Sequence, residues 1–149
     1  MAKKLKVAFV GAGGIATGAH LPGFQAQADV EVVAAADVSE QSLQRFAERA
    51  GISAEMCFSD YKDMYEKVDC DAVAVCTPNS WHYQPTLDAF AKGCHVLVEK
   101  PVAVSADQCR GMIEAGKKAG KLLMVGQTLR FTKGAAQMKA WVDSGDLGD

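Results

Sequence analysis

The sequence has no C-x-x-C pair, no block of like charges and no apolar run near the ~18 residues that a membrane-spanning helix needs. Each absence excludes something. Five cysteines (Cys57, Cys70, Cys76, Cys94 and Cys109) are scattered and do not cluster with the three histidines, so no metal site is expected. An odd, dispersed set inside apolar segments reads instead as buried thiols of a cytoplasmic protein. Sixteen basic against eighteen acidic residues give a net charge of -2, which speaks against general affinity for nucleic acid or an anionic membrane. Internal repeats and low-complexity linkers are also missing. The stretch from Met1 to Val10 imitates a signal peptide, but Gly11, Gly13, Gly14 and Gly18 break its apolar core and no cleavage site follows. Residue 1 is therefore expected to start the fold.

What is present is ordinary globular composition: 149 residues, 49% hydrophobic and 23% charged, enough for one domain with a sizeable core. Short apolar runs recur at Lys6–Val10, Val30–Ala36, Asp71–Thr77, His95–Glu99 and Leu122–Val125, with a weaker one at Met56–Phe58. They are continuous rather than alternating, which suits strands buried on both faces of a parallel sheet. Between them lie helical patterns. Ser39 caps one that presents Leu43, Phe46, Ala47 and Ala50 and stops at Gly51. Ser105 and Gln108 form a capping box ahead of Cys109, Met112, Ile113 and Gly116, with Gly120 as the stop. Pro85 must lie in the first turns of the helix ending near Gly93, and Pro22 implies a short or broken helix after Gly14. Alternation of this kind predicts an α/β fold, a doubly wound, mainly parallel sheet with helices on both faces.

The first strand runs into Gly11-Ala-Gly13-Gly14-Ile15-Ala16, a G-x-G-x-x-A pattern opening a helix. Gly11 permits the tight turn, Gly13 lets a pyrophosphate approach the backbone, and Ala16 allows close helix–strand packing. The free N–H groups beginning the helix, with Gly14 and Ile15 among them, would face the anion. The second strand ends in Asp37, placed to accept hydrogen bonds from the adenosine ribose hydroxyls. Thr77, Pro78 and Asn79 follow the fourth main strand, with His82 just beyond, and Glu99, Lys100 and Pro101 close the next. All fall on the carboxyl edge, where an open α/β sheet holds its ligand. Proline restricts the residue before it, so Lys100 should be held extended, its amine suited to proton exchange with a hydroxyl. Gln127 and Arg130, after the last strand, are candidate substrate contacts.

Together, Gly11–Ala16, Asp37, Thr77–Asn79, His82 and Glu99–Pro101 resemble the Gfo/Idh/MocA oxidoreductases, the group of glucose–fructose oxidoreductase and inositol dehydrogenase. The resemblance covers essentially the whole chain, and Val125–Phe131 and Ser144–Gly148 look like the segments leading into a second domain. It implies a Rossmann domain that binds NAD(P), followed by an α/β domain for substrate binding and homo-oligomerisation. It also implies hydride transfer between the nicotinamide and a sugar or polyol, with Lys100 as the catalytic lysine and its partner aspartate and histidine beyond residue 149. Residues 1–149 are then expected to be the cofactor domain of a longer enzyme, inactive alone. Asp37, with no arginine directly after it, favours NAD over NADP. A non-catalytic dinucleotide sensor of the same family, or another Rossmann dehydrogenase, remains an alternative reading.

Overall fold

A computed structural model of the protein describes residues 3–148. Six strands form one parallel sheet: β1 (Leu5–Val10), β2 (Val30–Ala36), β3 (Cys57–Phe58), β4 (Ala72–Val75), β5 (His95–Val98) and β6 (Leu123–Val125). Their order is β3-β2-β1-β4-β5-β6, so the winding reverses between β1 and β4. That reversal opens a crevice at the carboxyl ends of these two strands. The two-residue period of β1 divides the core. Ala8 and Val10 face one side, with Met64, Ala89, Phe90 and Met112, while Val7 and Phe9 face the other, with Leu21, Leu43 and Phe46. Phe9 is fully buried between Phe24 and Phe46, at ring separations of 5.7 and 4.9 Å.

The helices follow the local signals. α2 (Glu40–Ala50) begins where the Ser39 side chain accepts from the Ser42 N–H and ends at left-handed Gly51. α4 (Tyr83–Lys92) carries Pro85 in its first turn, where a missing N–H removes no helical bond. α5 (Ala106–Ala119) is capped by Ser105. The helix after the glycine loop is one π-helical turn, Ala16–His20, continuing into α1 (Leu21–Gln25). The interruption expected from Pro22 thus takes the form of a change of winding. Two helices have no counterpart in the sequence reading: α3 (Tyr61–Lys67), and α6 (Lys133–Ser144), which buries none of its residues. The cysteine expectation needs correction, since only Cys76 and Cys94 are buried and the other three are partly exposed.

Candidate functional site

The hydrogen-bond ladder continues past the strand ends and fixes the crevice rim. Gly11 N–H donates to Ala36 O at 2.7 Å, Cys76 N–H to Val10 O at 2.7 Å, Glu99 N–H to Val75 O at 2.9 Å and Gly126 N–H to Val98 O at 2.8 Å. Each loop is therefore positioned by the strand beside it.

Gly11 has φ +93°, and a Cβ built on it would lie 2.6 Å from the Cys76 carbonyl and 2.8 Å from Thr77 N. The loops after β1 and β4 meet backbone to backbone, so Gly11 serves that close approach as well as the turn. Gly13 and Gly14 are the reverse case: a Cβ on either would meet nothing within 4 Å. They face an open groove of about 340 Å³ lined by Ala12, Gly13, Gly14, Thr17, Gly18, Arg45, Glu48 and Arg49. Ile15 is exposed and Ala16 fully buried, as helix–strand packing requires.

Asp37 closes the other end of the loop. One carboxylate oxygen accepts from Ala12 N–H at 2.7 Å and the other from Ser39 N–H at 2.8 Å. Each oxygen keeps a lone pair for a further donor. Asp37 therefore holds the glycine loop against β2 and fixes Ser39, the residue that caps α2.

At the opposite side of the crevice, Thr77 is half-buried and donates its hydroxyl hydrogen to Trp81 O, while Pro78 and Asn79 are exposed. His82 requires a correction. It is fully buried, with its ring nitrogens 2.9 Å from Thr77 O and 2.8 Å from Pro101 O. A side chain with no surface cannot touch a dinucleotide; His82 joins the β4 and β5 loops instead. Glu99 is also withdrawn from the crevice. It is 6% exposed, accepting from His20 Nε2–H at 2.6 Å on one oxygen and from Lys100 N–H at 3.1 Å on the other. Lys100 itself is exposed, precedes a cis peptide bond to Pro101, and makes no ion pair among the described residues. Cys76, under the rim, is no nucleophile: burial, then the Glu99 carboxylate, push its thiol up to about 12. Gln127 and Arg130 are exposed beyond β6, with no side-chain hydrogen bond that ties them to the other candidates.

Sequence reasoning missed three groups. His20 lies four residues after Ala16 and beside Leu21, on the sheet-facing stripe of its helix, and a polar residue on such a stripe needs a partner. Arg45 and Arg49 share one face of α2, away from buried Leu43 and Phe46, and so meet the glycine groove. No group of three or more His, Cys, Asp or Glu among the described residues is disposed to hold a metal ion.

Comparison with known proteins agrees with this arrangement. Residues 5–127 match the model of an oxidoreductase family described by its NAD-binding Rossmann fold. The chain is 37% identical over 145 residues to D-glucoside 3-dehydrogenase of Escherichia coli (strain K12), a match covering 97% of this chain and 41% of that protein. The structure of the WlbA dehydrogenase of Bordetella pertussis, in complex with NADH and UDP-GlcNAcA, superposes with a TM-score of 0.90 at 26% identity. That match covers 98% of this chain and 44% of the other. The Y186F mutant of KijD10, a 3-ketoreductase of Actinomadura kijaniata in complex with TDP-benzene and NADP, gives a TM-score of 0.86 at 29% identity, covering 96% and 43%. The chain thus spans about two-fifths of the length of these relatives. With its doubly wound sheet, glycine-lined crevice and match over residues 5–127, the chain belongs to the Gfo/Idh/MocA family of oxidoreductases, as that family's NAD-binding Rossmann domain.

Proposed function

We propose that residues 1–149 bind NAD as the cofactor domain of a longer dehydrogenase acting on a hydroxyl of a sugar or polyol. One observation carries the reading: Gly11 is locked against the β4 loop, while Gly13 and Gly14 beside it open onto a groove with two arginines. A bare glycine edge lets a pyrophosphate reach backbone N–H groups, and Arg45 and Arg49 supply the opposing charge. The residues present fit the dinucleotide. The π-helical turn would face its phosphates, the free lone pairs of Asp37 its adenosine ribose, and Thr77, Pro78 and Asn79 the nicotinamide half.

Held by the glycine loop, Asp37 and Thr77–Asn79, a nicotinamide dinucleotide would supply hydride-transfer chemistry at this edge. Lys100, at the carboxyl edge of β5, exchanges the proton of the substrate hydroxyl, and Glu99 holds the Lys100 backbone through its N–H. His82 and His20 keep that loop in register from behind. A dinucleotide sensor would need the glycine edge and Asp37 but no exposed lysine at this place. Gln127 and Arg130 are assigned to the substrate side. Leu129, Phe131, Trp141, Val142 and Leu147 are all exposed, and we assign this apolar surface to contact with a second domain or subunit in a homo-oligomer. A cytoplasmic setting, with neither nucleic acid nor membrane as partner, completes the reading. No helix among the described residues is long and apolar enough to cross a membrane.

The test has two arms. Calorimetry should show NAD binding to residues 1–149, undiminished by Lys100→Ala, with no sugar or polyol oxidation by this piece alone. In the full-length enzyme, Lys100→Ala should lower kcat about 10²–10⁴-fold, the usual contribution of a general acid–base group. Failure to bind NAD refutes the cofactor assignment; unaltered turnover refutes the role of Lys100.

A further inference from the structure

Cys70 and Cys94 are 24 residues apart in sequence, yet their sulfurs are 3.4 Å apart. The sheet explains the meeting. β4 and β5 are parallel with Ala72 opposite His95, and the His95 N–H bond to Asp71 O at 3.0 Å carries the ladder one step further back. Cys70 and Cys94 therefore sit on neighbouring strand leads, one residue out of step. A strand spacing of ~4.8 Å and a rise of ~3.3 Å put their Cα atoms about 6 Å apart, inside the span a disulfide bridges. The pair lies at the amino ends of the strands, the side of the sheet away from the dinucleotide crevice.

Its surroundings suit thiol chemistry. Cys94 is 1% exposed, whereas Cys70 is half-buried and gives the pair its opening to solvent. The Cys94 thiol donates to Cys70 O at 3.1 Å. A hydrogen bond from Cys70, with the cations of Lys92 and Lys121 nearby, holds the Cys94 thiol below its ordinary range, while that same bond and burial push Cys70 up. The two thiols thus differ in acidity, an asymmetry that thiol–disulfide exchange uses. The other cysteines are differently placed. Cys76 is buried, Cys57 faces Ser53 O at 3.9 Å, and Cys109 lines the apolar groove between α5 and β6.

We propose that Cys70 and Cys94 form an oxidisable dithiol that closes to an intramolecular disulfide when the protein meets a peroxide. The two thiols give up two protons and two electrons as the S–S bond forms. The O–O bond of hydrogen peroxide breaks and takes them up as two molecules of water. A dithiol reductant reverses the step by exchange. Closure would pin β4 to β5 at their amino ends without entering the crevice.

The test exposes the purified protein to one equivalent of hydrogen peroxide, quenches with an alkylating reagent, and counts thiols in denaturant. The five thiols should fall to the three of Cys57, Cys76 and Cys109. Peptide mapping should show a Cys70–Cys94 cross-link, and dithiothreitol should restore all five. Cys70→Ser and Cys94→Ser should each keep every remaining thiol, whereas Cys57→Ser and Cys109→Ser still lose two. Cys70→Ser, at a half-buried position, decides the matter if Cys94→Ser does not fold. Retention of all five thiols, a cross-link elsewhere, or oxidation that dithiothreitol cannot reverse overturns the proposal and leaves the contact as packing alone.

Discussion

Removing the His20 side chain should destabilise the fold far more than an ordinary helix substitution. Both His20 and Glu99 have side chains less than a tenth exposed, and their 2.6 Å bond connects the π-helical turn to the Lys100 loop. His20→Leu keeps a comparable volume but leaves a buried carboxylate facing an alkyl group. Breaking a buried pair from one side costs about 3–5 kcal/mol. The lower end applies here, because Glu99 keeps its second bond from Lys100 N–H at 3.1 Å. For a chain of this length about 3 kcal/mol lowers Tm by roughly 6–12 °C. Glu99→Gln removes the charge and retains an acceptor, so it should cost about 1–2 kcal/mol. The double variant no longer buries an uncompensated charge and should fall short of the summed single effects by more than about 1 kcal/mol. Urea unfolding followed by circular dichroism measures all four proteins. A loss below about 1 kcal/mol in His20→Leu, or additivity of the two changes, would refute the coupling.

Asp37→Ala should weaken NAD binding about ten- to hundred-fold, the worth of a charged hydrogen-bond partner, and should narrow the preference against a 2′-phosphate. Parallel calorimetry with NAD and NADP checks this, and equal or tighter NADP binding by the unaltered chain would contradict it. Gly11→Ala should cost about 2–4 kcal/mol, from the φ of +93° and from the 2.6 Å approach to Cys76. A melting temperature within a degree of the parent would show that the two loops move independently. Asp71, near the start of β4, accepts from the Lys6 N–H at 2.9 Å, and that bond, then Lys3, holds its carboxyl below the usual value. A depressed folded value means its contribution is complete above the unfolded value near 3.8 and is lost as pH falls through the folded one. Acid unfolding of Asp71→Asn should lack that part of the pH dependence; identical acid profiles would sink the assignment.

How much of this was legible in the sequence depended on how far apart the cooperating residues lie. The glycine loop, the Ser39 and Ser105 caps, the Gly51, Gly93 and Gly120 stops and the strand runs all act within a few residues of themselves, and each stands where the pattern put it. α3 was missed because its seven residues bury only Met64 and Tyr65, too few to set a period. α6 was missed because it buries nothing at all. Among the candidate site residues, the sequence named His82 and Glu99 together with Thr77 and Lys100, without telling the residues that fasten the rim from those exposed on it.

His82 and Glu99 show why. Both stand beside the right strands, and their neighbours Thr77 and Lys100 do reach the rim. Position in the chain, however, says which edge a residue occupies and not which way its side chain turns. That direction is set by partners 19 residues away for His82 and 79 away for Glu99. A buried polar side chain must find such a partner, since leaving it unpaired costs about 1–3 kcal/mol, and more when it is charged. His20, His82 and Glu99 are therefore a consequence of the crevice as much as a part of it. Loops that must leave backbone open to a ligand cannot pack against one another along their whole length, so the few buried polar bonds beneath them have to set their spacing.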